Sequence, residues 1–324
     1  MRLGFLTHVQ GSYRNAQELF VVADELGFDS GWVAQHHAPL QGGGLSSSWT
    51  FLAYAAARTR RIGLSTAITI LPLEHPLRLA EDIAVVDTLS GGRVEIGVGP
   101  GSGPEEYAAF GVDYERRREL TTAGLDTLRR ALAGEEVGAP GFTIQPRPAG
   151  DFTERIWQGI FSAPGARFAA EAGSNLLLNR ATYGYEEPTD TIQRGWADEY
   201  LAAWDRPHRP RIGLSRFVFP AKDRRTALAQ IEDGLRHATE GFVRRGTFPA
   251  GLSVDDYLRR FHAFIGHPDE IIEALRAERV MPVATDLITQ FNPGIPGLDA
   301  SIQGLELIAK EIAPALGWSP GGQP

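Results

Sequence analysis

Apolar residues fall into two alternating patterns along the chain. Short, dense runs read as strands: "RLGFLTH" (2–8), "DSGWVAQ" (29–35), "RIGLSTAITIL" (61–71) and "RVEIGVG" (93–99). Between them, "NAQELFVVADELG" (15–27), "WTFLAYAAART" (49–59) and "PLRLAEDIAVVDTLSGG" (76–92) space their apolar residues as amphipathic helices do. Gly27 stands just past the first helix, and the third opens on proline and closes on glycines, which suits both residue types. Strands and helices alternating over short connections predict a parallel sheet covered by helices.

The second half keeps the alternation less cleanly. Residues 115–133 and 164–172 read as helices, and "RIWQGIF" (155–161), "NLLLN" (175–179), "RIGLSRFVF" (211–219) and "VATDLI" (283–288) as strands. Strands near 2, 29, 61, 93, 155, 174, 211 and 283 give eight βα units, which favours a closed (β/α)8 TIM barrel over an open sheet. No repeat or linker interrupts the pattern, so residues 1–324 read as one domain. Three segments exceed what the barrel needs: 134–152, rich in Gly and Pro; the polar 181–190; and 241–266, with aromatic and basic residues. They are expected to be insertions at the C-terminal face of the strands, the last forming a mobile lid. Tyr183, Tyr185, Phe242 and Phe248 read either as pocket walls or as ordinary packing.

Composition narrows the chemistry. A formal net charge of −8 argues against nucleic-acid binding, and the absence of cysteine removes disulfides, thiolate metal sites and a cysteine nucleophile. The opening "MRLGFLTHVQ" lacks the apolar stretch of a signal peptide and no run is long enough to span a bilayer, so a cytoplasmic protein with no membrane contact is expected.

In a barrel of this kind chemistry sits at the carboxyl ends of the strands. His36 and His37 lie at the end of strand two, and since successive residues point to opposite faces, one of them faces the mouth. No HExxH or nearby carboxylate pair completes a metal site around them. Other strand ends add His8, the Thr66–Ala67 region, Ser162, Asn179 with Arg180, and Ser215 with Arg216. Ser162 precedes a helix with Gly165 in its first turn; it reads either as a phosphate donor or as a simple helix cap. The run "GVGPGSG" (97–103) fails the G-x-G-x-x-G pattern because Ser102 stands at its last glycine, so Gly97 and Gly99 read as room for a flat ligand.

Together, "GWVAQHH", "LSTAITILPLEHPLRLAEDIAVVDTLSGGRVEIGVGPG", "FGVDYERR" and "QGIFSAPGARFAAEAGSNLLLNRA" resemble the bacterial luciferase-like flavin monooxygenases, over residues 1–133 and 158–181. The resemblance implies a barrel, usually dimeric, that binds FMN at its mouth and oxidises a small organic substrate with O2, a separate flavin reductase supplying reduced FMN. It places His36 as the catalytic histidine, with Gln35 where many members have glutamate, so that a carboxylate contribution there is lost. Ala67 and Ile68 match a strand-three pair that often forms a non-proline cis peptide beneath the flavin, and Thr66 and Gly99 stand beside it. Ser162 matches a phosphate-binding serine, Ala166 stands where a threonine often helps, and Asn179 matches a serine at the flavin's polar edge. Pro100 replaces an arginine that meets the phosphate in luciferase itself, so the helix after Ser162, Arg180 or Arg216 has to supply the charge; either arginine could instead pair with a barrel carboxylate such as Glu95. The alternatives are a deazaflavin F420-dependent oxidoreductase on the same fold and a non-catalytic flavin-binding homologue.

Overall fold

The computed structural model describes residues 1–8, 12–37 and 44–321, so part of the Gly/Ser-rich connection after the second strand lies outside the described residues. Nine strands form one parallel sheet: β1 (Arg2–Thr7), β2 (Ser30–Val33), β3 (Gly63–Ile70), β4 (Val94–Gly99), β5 (Ile156–Ile160), β6 (Asn175–Leu178), β7 (Ile212–Pro220), β8 (Ala263–Gly266) and β9 (Asp286–Gln290). The order runs β6-β5-β4-β3-β2-β1-β9-β7, and a β6–β7 pairing closes it into the eight-stranded barrel expected from the alternation. Among the described residues no helix is long and apolar enough to cross a membrane.

The ninth strand is the part that the apolar pattern missed. Phe217 of β7 pairs with Gln290 of β9 on one edge and with Ala263 of β8 on the other, so β8 continues the β6 edge above the point where β6 ends. The segment 241–266, expected as a mobile lid, is therefore folded. It completes the helix Arg224–Arg244, forms the helix Val254–Arg260 and adds β8. Phe242, Phe248, Leu258 and Phe261 make its own apolar core, so Phe242 and Phe248 are packing residues, while Tyr185 is at the surface.

Two further expectations are corrected by topology. Residues 134–152 follow the helix Arg117–Leu132 and lead into the start of β5, so they lie at the N-terminal end of the barrel, away from the mouth. There the Ala149 N–H donates to Asp87 at 3.0 Å, and Val137, Ile144 and Phe152 are buried in the main core. The last strand begins at Asp286 rather than 283, because Met281–Val283 form a short 3-10 turn around Pro282.

Large side chains fill the barrel, and glycines make room for them. Trp32 and Trp157 meet edge-to-face with centroids 5.4 Å apart, surrounded by Leu6, Leu177 and Ile288. A Cβ at Gly213 would come within 3.2 Å of Trp157 and 2.9 Å of Leu177. Below them, charges close the N-terminal end. Glu95 accepts from Trp157 Nε1 at 2.5 Å and pairs with Arg2 at 3.2 Å and Arg211 at 3.1 Å, while Arg211 also holds Asp286 at 2.8 Å. Glu95 therefore serves Arg2 and Arg211 rather than Arg180 or Arg216.

Removing one partner of such a buried network leaves the others uncompensated. Glu95→Ala is expected to lower stability by about 3 kcal/mol, read from the midpoint of urea unfolding. A midpoint equal to that of the wild type would contradict this role.

Candidate active site at the barrel mouth

The mouth is built around the seam between β2 and β3. Gln35 is 3% exposed; its backbone N–H donates to Ile68 O at 3.2 Å and its side-chain oxygen accepts the Ile70 N–H at 2.7 Å. Its amide nitrogen donates to Glu74 at 2.6 Å and to His37 Nε2 at 3.0 Å. The Ala67–Ile68 peptide that immediately precedes these anchors is cis, and the β3–β4 register shifts across it. Ala67 and Ile68 are half-buried, whereas their neighbours Thr66 and Thr69 are fully buried.

The Thr66 hydroxyl is committed to β4: it donates to Gly97 O at 2.8 Å and accepts the Gly97 N–H at 3.1 Å. The Ile68 side chain lies against β4 and β5, where a Cβ at Gly99 would reach it at 3.3 Å and one at Gly159 at 2.8 Å. Gly97 and Gly99 thus make room for β3 itself, where the sequence suggested room for a ligand.

The paired histidines divide as their alternation requires. His36 stacks on His8 with ring centroids 6.1 Å apart, and His37 packs on Phe110 at 4.4 Å. Glu106, on the helix Pro104–Ala109 after β4, is 2% exposed and accepts the His37 N–H at 2.6 Å. The same oxygen lies 3.8 Å from His36 Nδ1, which is buried and has no hydrogen-bond partner among the described residues. A carboxylate thus reaches the His36 ring from the helix after β4, while residue 35 is an amide. In the sequence, Glu106 reads only as an acidic residue in a helix first turn, a place that the helix dipole explains by itself.

Across the mouth, His8 Nε2 and Arg180 Nη1 both donate to the Gln290 side-chain oxygen, at 3.1 and 3.3 Å, while the Gln290 amide donates to Ser215 at 2.6 Å. Burial, then the fields of Arg180 and His36, push the His8 ring down to about 3, so it is neutral near pH 7. Asn179 uses its side-chain oxygen on the Arg180 N–H at 2.8 Å. Arg216, fully buried, is paired with Glu278, donates to Gln193 at 3.0 Å and has no charge to offer a ligand.

Ser162 caps the helix Ala163–Glu171, its hydroxyl oxygen accepting the Gly165 N–H at 3.3 Å. The Ala166 N–H donates to Ser162 O at 3.1 Å and its side chain is buried, so it adds no donor. Pro164 carries no N–H, which leaves the Ala163 amide and the Ser162 hydroxyl hydrogen open. Pro100 O accepts from the buried Tyr107 hydroxyl, which holds the loop that carries Glu106.

A family model for luciferase-like monooxygenases matches residues 1–285. The chain belongs to the luciferase-like monooxygenase family. It is 30% identical to 4-hydroxyprotoasukamycin monooxygenase of Streptomyces nodosus subsp. asukaensis over 80% of this chain and 75% of the relative. It is 28% identical to limonene 1,2-monooxygenase of Rhodococcus erythropolis over 92% and 80%. Among solved structures, the monooxygenase RslO1 from Streptomyces bottropensis superposes with a TM-score of 0.81 at 26% identity, covering 97% of this chain and 99% of that one. The same barrel recurs in two more distant structures, for which the likeness shows the fold alone. One is the oxygenating constituent of 3,6-diketocamphane monooxygenase from Pseudomonas putida in complex with FMN, with a TM-score of 0.72, 20% identity, and 97% and 98% coverage. The other is an F420-dependent secondary alcohol dehydrogenase, with a TM-score of 0.75, 17% identity, and 97% and 98% coverage. The named monooxygenase relatives support an oxidoreductase.

In this luciferase-like barrel, burial lowers the His37 pKa while the charges of Glu106 and Glu74 work against it. Glu106→Gln removes one of those charges, so the His37 ring is expected to titrate at a lower pH than in the wild type, followed by NMR of its ring protons. An unchanged titration would contradict the Glu106–His37 contact.

Proposed function

We propose that the protein is an FMN-dependent monooxygenase, receiving reduced FMN from a separate flavin reductase and using O2 to oxidise a small organic substrate. The observation that carries this reading is His36: a half-exposed ring at the mouth whose Nδ1 edge is buried opposite Glu106. The residues fit the ring of a flavin at the half-buried Ala67–Ile68 peptide, beside Gly99, with Thr66 fixing the strand beneath. They fit its phosphate more thinly, through the Ser162 hydroxyl and the Ala163 N–H in the turn that contains Gly165 and Ala166.

Bound reduced FMN would supply the two electrons that reduce O2, one oxygen atom passing to the substrate and the other leaving as water. The chain's part is to position and to handle protons. With its Nδ1 edge facing Glu106, His36 presents Nε2 as the edge open to the mouth. There it holds the proton that water formation consumes, and Glu106 balances the imidazolium while it does so. Gln35 fixes the β3 backbone beside the peptide that would hold the ring, and Asn179 ties the end of β6 to Arg180. F420-dependent hydride transfer on the same barrel is the rival reading.

A homodimer is part of the proposal. Tyr54 of the helix Ser48–Arg58 and Val85 and Leu89 of the helix Pro76–Ser90 are large apolar residues left exposed, at 53%, 41% and 67%. The mass of the protein in dilute solution tests it. The proposed catalytic role is tested by His36→Ala. Oxygen consumption with supplied reduced FMN and a turned-over substrate is expected to fall about a hundredfold or more, the usual weight of one general acid–base group, with FMN affinity nearly unchanged. Unaltered turnover would remove His36 from the mechanism.

A further inference from the structure

Arg180 differs from Arg2, Arg211 and Arg216 in having no carboxylate counter-charge among the described residues. Arg2 and Arg211 share Glu95 and Asp286 at the closed end, and Arg216 is paired with Glu278. Arg180 is just 9% exposed, yet no carboxylate among the described residues lies within ion-pairing distance of it. Its neighbours are neutral: Nε donates to the Tyr183 hydroxyl at 2.9 Å, Nη1 to the Gln290 oxygen at 3.3 Å, and the Tyr183 ring centroid is 5.9 Å from its carbon. Those two bonds use two of the five N–H groups of a guanidinium, and Nη2 has no partner among the described residues. A cation taken this far from water without an opposite charge is costly, and an anion arriving beside it regains that cost.

We propose that Arg180 recognises a singly charged, delocalised anionic oxygen of the substrate, such as a carboxylate, enolate or phenolate. The inference rests on reading the mouth as the reaction chamber and names the substrate class for it. Three observations place the anion with the substrate and not with the cofactor phosphate. No hydrogen bond or ion pair among the described residues joins Arg180 to Ser162 or its helix, whereas Gln290 joins it to His8, which stacks on His36. The Gln290 amide is turned by Ser215 so that its oxygen faces both Arg180 and His8, which fixes the His8 proton on Nε2. With His8 neutral, the cluster carries one positive charge, which balances a monoanion and leaves a phosphate dianion half compensated.

The test uses the full chain without flavin and para-nitrophenol as the probe, whose ionised form is yellow. At a pH just below the pKa of the free probe, binding to the wild type is expected to turn it yellow, because the guanidinium favours the phenolate. Arg180→Gln should weaken binding at least tenfold and abolish the colour, whereas Arg180→Lys, which keeps the charge without the planar fork, should keep the colour with affinity several-fold weaker. Alongside, the ratio of riboflavin to FMN dissociation constants should be the same in the wild type and Arg180→Gln. A colourless bound probe, equal affinity in Arg180→Gln, or a ratio that falls in that variant would overturn the proposal, the last by assigning the cation to the cofactor phosphate. Should Arg180→Gln fail to fold, Arg180→Lys decides: probe binding as tight as in the wild type would show that the fork makes no contact. Failure of the wild type to bind FMN at all would refute the monooxygenase reading and leave the probe result standing.

Discussion

One buried amide holds the mouth of this barrel together. Gln35 contacts Ile68 and Ile70, just after the Ala67–Ile68 peptide, and also Glu74 and His37. A glutamate at this position could accept the Ile70 N–H, but its second oxygen would face Glu74 at hydrogen-bond distance with no proton between them. The amide donates there instead, so glutamine is the residue that lets both Glu74 and the β3 backbone approach. His36 follows Gln35 directly in the chain, and its backbone is fixed in turn by Leu45. The position of the His36 ring, the shape of the β3 shelf and the reach of Glu106 all depend on this seam.

Charge is distributed unevenly along the barrel axis. At the closed end, Arg2, Arg211, Glu95 and Asp286 compensate one another beneath the two tryptophans. Outside β7, Arg216 and Glu278 do the same. At the mouth, Glu106 stands 3.8 Å from the His36 ring, and Arg180 has hydrogen bonds but no carboxylate partner among the described residues. The arginines at the closed end and outside β7 are ion-paired, whereas Arg180 at the mouth has only neutral partners among the described residues. This is the physical basis for assigning Glu106 to the histidine and Arg180 to the ligand.

The sequence revealed the barrel because its strand-and-helix alternation is regular through β4, and the family resemblance pointed to His36 at a strand end and to the Ala67–Ile68 peptide, which is cis. What escaped it depends on contacts far apart in the chain. The strand β8 is four residues long, sits behind a helix and pairs only with the upper half of β7, so no periodicity marks it. Residues 134–152 were assigned to the wrong end because composition reveals a loop but not which face it joins. Glu106 is 70 positions from His36 and looks like helix-end chemistry. The two readings of Arg216, phosphate ligand or ion pair, could be separated only by seeing Glu278 beside it.

The account as a whole turns on whether the shelf at Ala67–Ile68 and the thin grip at Ser162 hold FMN. Titration of the purified protein with oxidised FMN, reduced FMN and F420, followed by fluorescence or absorbance, addresses this most directly. The account predicts saturable binding of FMN, tighter in its reduced form, and no binding of F420. Binding of F420 in preference to FMN, or of neither, would contradict it.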